Sequence, residues 1–196
     1  IPLSEATHSC PSLPNLDVLP ATLDLIGLPV ELANVPRQNF RLKDALQNSS
    51  RDYDYVLIDC PSSLDLLTIN ALAAANSVIV PLQAEYFALE GINDLLRTIQ
   101  HVRKGLNSGL DIAGVIMTMV NMKTRLSKEI VMQAQNFFGP TVIFESMIHR
   151  SIQLGEAPSH AQPIHVYDPN TVGSANYTAA AKELLFRDGR ISTPEY

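Results

Sequence analysis

At 196 residues with 46% hydrophobic side chains, the chain is long enough to bury a full core, and its length favours one domain over two. The 14 basic and 20 acidic residues leave a net charge of −6, which argues against broad electrostatic attraction to DNA or to an anionic membrane and leaves room only for a local basic patch. Cys10 and Cys60 are far apart in sequence, so no disulfide framework is indicated and a reducing compartment is favoured.

No apolar run approaches the length of a membrane span and no leader pattern is visible, so a cytoplasmic protein is expected. The chain opens Ile1-Pro2-Leu3 without an initiator Met, and a processed product or a piece of a longer protein is therefore expected.

In chain order, residues 1–15 carry Pro2, Pro11 and Pro14 among Ser and Thr, the composition of an irregular lead-in. Leu16 to Leu19 reads as a short strand. Thr22 can cap a helix running to about Asn34, broken near Gly27 and Pro29, and a second helix is expected from Phe40 to Asn48. The run Tyr55 to Ile58 is too short for a helix and ends on a carboxylate, Asp59, ahead of Pro61; that is the pattern of a buried central strand. Ligands of open parallel sheets gather outside the carboxyl ends of the strands, so Asp59 is placed to face a bound group. It can equally serve as the N-cap of the next helix, with Ser62 and Ser63 as alternatives.

Leu64, Leu67, Thr68, Ala71, Leu72 and Ala75 then recur at helical spacing, giving one apolar face. Ser77 to Leu82 is the next strand. A long amphipathic helix from Tyr86 carries Leu89, Ile92, Leu96, Ile99 and Leu106 and ends at Asn107, Ser108 and Gly109. Ile112 to Val120 is a third strand. The helix Arg125 to Phe138 turns Leu126, Ile130, Val131, Ala134 and Phe138 inward and stops at Gly139-Pro140. Thr141 to Ile148 is a fourth strand. An irregular stretch with Pro158 and Pro163 leads through Asp168-Pro169 to a last helix from about Gly173 to Phe186, with a frayed tail over 187–196. Alternating strands and helices of these lengths predict an α/β fold, a doubly wound, mostly parallel sheet with helices on both faces.

Three phrases go beyond fold class: Tyr53-Asp54-Tyr55-Val56-Leu57-Ile58-Asp59-Cys60-Pro61-Ser62-Ser63, Ala84-Glu85-Tyr86-Phe87-Ala88-Leu89-Glu90-Gly91, and Gly155-Glu156-Ala157-Pro158-Ser159-His160. In this order and spacing the chain closely resembles the ParA/Soj family of chromosome and plasmid partition ATPases, relatives of MinD and of the nitrogenase iron protein, from about Leu16 to Leu185. The resemblance implies a P-loop NTPase-like fold that binds ATP and Mg²⁺, forms a homodimer around two nucleotides, binds DNA without sequence preference, and is released by hydrolysis under a ParB-type centromere-binding partner. It also implies a cytoplasmic, nucleoid-associated protein without membrane attachment. Asp59 matches the acidic residue that ends the Walker B strand, a catalytic carboxylate holding Mg²⁺ through water, in keeping with the few carboxylates that Mg²⁺ takes. Asn121, Arg150 and Pro158 fall where the family surrounds the adenine. Glu85 and Glu90 fit either a region near the active-site and dimer faces or the acidic start of a helix.

The sequence also departs from the family. The Gly-rich loop with two lysines is not among these residues, since the glycines occur singly and Lys123-Thr124 lacks the spacing upstream; nor is the Asp-containing switch segment. We therefore expect a single partial ATPase domain over 1–196, weak or inactive by itself because backbone N–H donors and a phosphate-directed Lys supply most affinity and catalysis. An open strand edge beside Asp59 is expected to follow. Of the family's DNA-binding arginines, the matching positions read Lys123, Gln153, and Asn170 with Val172, leaving Lys123, Arg125 and Arg150 as the basic candidates and weakening the predicted phosphate contacts.

The alternative reading is a non-catalytic, shortened relative that pairs with partners through the same surface. A MinD-like membrane-associated ATPase would need a basic amphipathic C-terminal helix, which the tail from Arg187 to Tyr196 does not provide. Cys60 reads as a small buried residue rather than a nucleophile, His149, His160 and His165 match no zinc spacing, and Met117, Met119 and Met122 read as core and loop fillers.

Overall fold

The computed structural model describes residues 3–49 and 51–193, with the side chains of residues 88 and 89 left out, so the expected inward face of Leu89 lies outside the described residues. The chain forms two compact units, one from Ile1–Asn76 and Leu95–Leu110, the other from Ser77–Asp94 and Asp111–Tyr196.

In the first unit, the lead-in is more ordered than its prolines suggest. It contains a one-turn helix α1 (Leu3–Ala6) and a short antiparallel pair, β1 (His8–Ser9) with β2 (Asp17–Val18), in the register Ser9↔Asp17. Asp17 anchors this pair, because its Oδ2 accepts from Arg51 Nη1 at 2.5 Å and from Tyr53 OH at 2.8 Å. The helix expected after Thr22 is broken where Gly27 and Pro29 predicted: a 3-10 turn over Leu23–Gly27 precedes the four-residue α2 (Leu28–Glu31). Thr22 caps nothing with its side chain. The second expected helix is α3 (Arg41–Gln47), and the third is α4 (Leu66–Ala74).

Two asparagines organise these helices. Buried Asn70 donates to the Gln38 and Leu66 carbonyls at 2.9 and 3.0 Å and accepts from the Leu42 N–H at 3.2 Å. Asn107 donates to the carbonyls of Leu72 and Ala75 at 3.0 and 2.7 Å, supplying partners that the end of a helix otherwise lacks. Ala71, Leu72 and Ala73 are the buried face of α4. The helix expected from Tyr86 begins later, as α5 (Ile92–Gly105), after a 3-10 turn over Tyr86–Leu89; Ile99 and Val102 are its most buried side chains.

The expected central strand over Tyr55 to Ile58 is corrected. No strand is formed over residues 55–58, and Val56 and Leu57 are 52% and 81% exposed. An apolar run becomes a buried strand only where neighbours accept its backbone groups and cover its faces. Here the run is irregular chain.

The second unit holds the parallel sheet. β3 (Ser77–Gln83) pairs with β4 (Asp111–Thr118) in parallel, with a register shift between Val78 and Ile79. Val80, Leu82, Val115 and Met117 fill its interior. Beside the shift sits Gly114, where an added Cβ would lie 2.4 Å from the Phe144 ring and 2.9 Å from the Val142 carbonyl. Only glycine fits so close an approach.

Thr141 to Ile148 does lie along β4 in parallel, but as an interrupted ladder rather than a regular strand, with bridges at Val115↔Ile143 and Val120↔His149. The interruption has a cause: the N–H groups of Glu145 and Ser146 donate to the Glu183 carboxylate at 2.9 and 2.8 Å instead of to a neighbouring strand. Helices α6 (Arg125–Phe138), α7 (Ile152–Glu156), α8 (Ile164–Tyr167) and α9 (Val172–Arg187) complete the unit. Thr124 caps α6 through Ser127 N–H and Thr171 caps α9 through Ser174 N–H. Ile130, Val131 and Ala134 of α6 are buried as the spacing predicted, whereas Leu126 is 45% exposed. The arrangement is the predicted α/β class, a parallel sheet with crossover helices.

Candidate functional site

Asp59 lies in the first unit, on the segment described above, with its side chain exposed. It does not cap α4. That helix is capped by Asp65, whose carboxylate accepts from Leu67 N–H at 3.0 Å and from Ser63 Oγ at 2.8 Å. The alternative reading of Asp59 as a cap is thereby overturned, and Ser62 and Ser63 are not the cap either. An Asp one residue before an apolar helical run is a readable N-cap signal at Asp65.

Cys60 is exposed, not buried as expected. Its thiol is pushed above the ordinary value, first by the surrounding protein that desolvates the thiolate and then by the Asp59 carboxylate. It donates weakly to the Ile58 carbonyl. A raised thiol beside a carboxylate is a poor nucleophile, which agrees with a role outside catalysis.

The remaining candidates all lie in the second unit. Asn121 follows Val120 and shapes a tight turn: its N–H donates to Ser127 Oγ at 3.0 Å, its Oδ1 accepts from Lys123 N–H at 3.1 Å, and its carbonyl accepts from Thr124 N–H and Oγ1, each at 3.0 Å. These bonds fix the start of α6. Met119, two residues before it, has a positive φ of 50° and is exposed.

Arg150 N–H donates to the Val120 carbonyl at 3.0 Å, which sets Arg150 beside the exit of β4. Its guanidinium reaches Glu85 Oε1 at 2.5 Å across 65 residues of sequence, both side chains being about half exposed or more. Arg125, at the first turn of α6, is 92% exposed and pairs with Glu129 one turn on, at 2.6 Å; that pair holds its guanidinium firmly protonated. Lys123 is exposed in the Asn121 turn. Pro158 is exposed in the 3-10 turn Ala157–His160 that extends α7.

The structure therefore brings Asn121, Lys123, Arg125 and Arg150 to one turn at the end of β4 and adds Glu85, whose pairing with Arg150 no local pattern announces. The Arg125–Glu129 pair, by contrast, was legible from its spacing of four. His149 Nδ1 lies 3.1 Å from Asn176 Oδ1, while His160 stacks on Tyr167 and His165 Nε2 lies 3.0 Å from Thr178 Oγ1.

A Mg²⁺ ion with substrate phosphates uses one or two carboxylates and keeps several waters. Asp59 is an exposed carboxylate that could supply one such ligand. The phosphate cradle is not matched in the same way. The glycines stand singly, and none adjoins Asp59.

Comparison with known proteins bears on these residues. A family model described as AAA domain matches residues 2–112. The chromosome-partitioning ATPase Soj of Treponema pallidum (strain Nichols) is 46% identical over 176 residues, 90% of this chain and 69% of that protein. The chromosome partitioning protein ParA of Myxococcus xanthus (strain DK1622) is 44% identical over 187 residues, 95% of this chain and 65% of that protein. Among solved structures, cobyrinic acid a,c-diamide synthase from Mycobacterium smegmatis with bound ADP and magnesium superposes with a TM-score of 0.80 at 28% identity, covering 99% of this chain and 70% of that one. The chain thus spans about two thirds of the length of these relatives. No helix among the described residues is long and apolar enough to cross a membrane.

Proposed function

We propose, from the premise that the chain belongs to the ParA/Soj family of partition ATPases, that it takes part in ATP-dependent segregation of DNA. The single observation that carries this reading is the 46% identity to a chromosome-partitioning ATPase over 90% of the chain. Because the chain spans about two thirds of such relatives, nucleotide turnover, ATP-dependent dimerisation, nonspecific DNA binding and recognition of a ParB-type partner are proposed for the protein with a phosphate-binding loop in place. The ATPase domain expected from the sequence embraces both units. The proposed setting is the cytoplasm, in association with the nucleoid.

Within that reading, Asp59 is the carboxylate toward which a hydrated Mg²⁺ is directed, and its exposure at the end of an apolar run supports the assignment. Bound Mg²⁺ would neutralise charge on the phosphates. Asn121 and Pro158 are proposed to flank the adenine, the first from a turn already fixed by its own hydrogen bonds, which lowers the cost of ordering on binding. Arg150 is proposed to lie beside the adenine with them. Lys123, Arg125 and Arg150 form the proposed DNA-binding set.

The test is ATP turnover by the protein expressed from its full reading frame, with and without Asp59→Ala. Removal of a metal-directed carboxylate predicts a loss of at least 100-fold, on the scale of a missing transition-state charge partner, with the melting temperature unchanged because Asp59 is exposed. Unchanged turnover would remove Asp59 from the site.

A further inference from the structure

Two of the three cations in the proposed DNA-binding set are already occupied. Arg150 is held by Glu85 at 2.5 Å and Arg125 by Glu129 at 2.6 Å, and all four side chains are more than 40% exposed. Exposed pairs of this kind add little to stability, since Coulomb attraction in water is weak and ordering two long side chains opposes it. Their larger effect is on the surrounding potential: each carboxylate cancels a positive charge that a polyanion would otherwise meet.

The cations share one place in the fold. The backbone of Arg150 is bonded to Val120, three residues before Lys123, and the Asn121 turn carries the chain from there to Arg125. Lys128 follows on the exposed part of α6. In a chain with a net charge of −6, this turn gathers Lys123, Arg125, Lys128 and Arg150, and two glutamates cancel half of that positive charge.

We infer that Glu85 and Glu129 are internal competitors for DNA phosphate, so that DNA binding at this turn requires both arginines to exchange carboxylate for phosphate. The inference rests on the proposed DNA-binding role. It adds that affinity is held down by named acidic residues, beyond any deficit of cations. DNA is favoured over a nucleotide as the competing anion because the Arg125 and Arg150 side chains are 92% and 61% exposed, open to the backbone phosphates of a duplex. The exchange needs no bond chemistry, only replacement of one oxygen anion by another.

The experiment is fluorescence anisotropy of a labelled duplex across a salt titration, using the protein from its full reading frame with ATP and Mg²⁺. Variants are Glu85→Gln, Glu129→Gln, the double variant, Arg125→Gln with Arg150→Gln, and Lys123→Gln. Each Glu→Gln change is expected to tighten binding about 2- to 5-fold at low salt, the scale of an exposed pair, and the double variant to steepen the salt dependence by about one unit or more of slope. The arginine variants should weaken binding and flatten that slope. Melting curves should not move.

If Lys123→Gln weakens binding while the double Glu→Gln variant leaves affinity and slope unchanged, the competition idea fails and the DNA-binding reading stands. If no variant changes binding, or the wild type binds no duplex at low salt, both fail. Tightening toward ATP with no change toward the duplex overturns the choice of DNA as the competitor.

Discussion

Glu183 and Arg187 do more for the second unit than their place on a terminal helix suggests. Glu183 is 3% exposed, and its two oxygens accept from the N–H groups of Glu145 and Ser146. Arg187 donates back to Glu183 at 2.7 Å, reaches the Thr141 and Ile143 carbonyls at 3.0 and 2.7 Å, and lies over the Phe144 ring at 4.3 Å from its centre. Burial opposes ionisation of Glu183, but the Ser146 and Glu145 N–H groups and Arg187 outweigh it and leave the carboxyl below its ordinary value. A depressed value in the folded state means that the unfolded chain binds the proton more readily. The stabilisation is therefore present above the unfolded glutamate value, about 4.3, and is lost as pH falls through the folded one. Glu183→Gln should cost about 3 kcal/mol at neutral pH, the scale of a broken buried pair, and should flatten the acid limb of a plot of melting temperature against pH. An acid limb identical to that of the wild type would show that Glu183 is not its source.

At the level of elements, what was legible in the sequence follows from how local the deciding interactions are. α6 was readable because its apolar spacing and its Gly139-Pro140 stop lie within or beside it, and its Thr124 cap is adjacent too. The run before Asp59 was readable as apolar but not as unburied, because strand burial depends on neighbours that the run does not encode. The interruption of the segment from Thr141 to Ile148 was not readable at all, since the acceptor of its N–H groups lies 37 and 38 residues downstream. The candidate site divides the same way: the residue types at Asp59, Asn121, Lys123, Arg125, Arg150 and Pro158 were legible from motif, while the Glu85 pairing is tertiary. Asn107 is a helix stop by local pattern and a tertiary link by structure. Its amide closes the end of α4 by two hydrogen bonds, and Asn107→Ala should leave those carbonyls unpaired. The expected loss is about 1–3 kcal/mol in denaturant unfolding; a midpoint within error of wild type would show that water replaces the amide without cost.

Across the whole molecule, exposed large apolar side chains are concentrated in residues 16–57, among them Leu23 at 84%, Ile26 at 76%, Val30 at 81% and Leu57 at 81%. The cores of β3 and β4, by contrast, hold Val80, Val115 and Met117 at 3% or less. Amide hydrogen exchange should reflect that contrast: residues 53–60 are expected to exchange within seconds to minutes, and the amides of β3 and β4 at least 100-fold more slowly, near the limit of global unfolding. Comparable rates in both would mean that the run is protected after all. The Glu183–Arg187 arrangement also bears on when the fold is completed during synthesis. A chain emerges N-terminus first, at about 5–20 residues per second, so β3 and β4 are available to pair before the carboxylate that the segment after Thr141 depends on. That segment can settle only once α9 has left the ribosome, which makes any stop codon upstream of position 183 a lesion felt in the sheet.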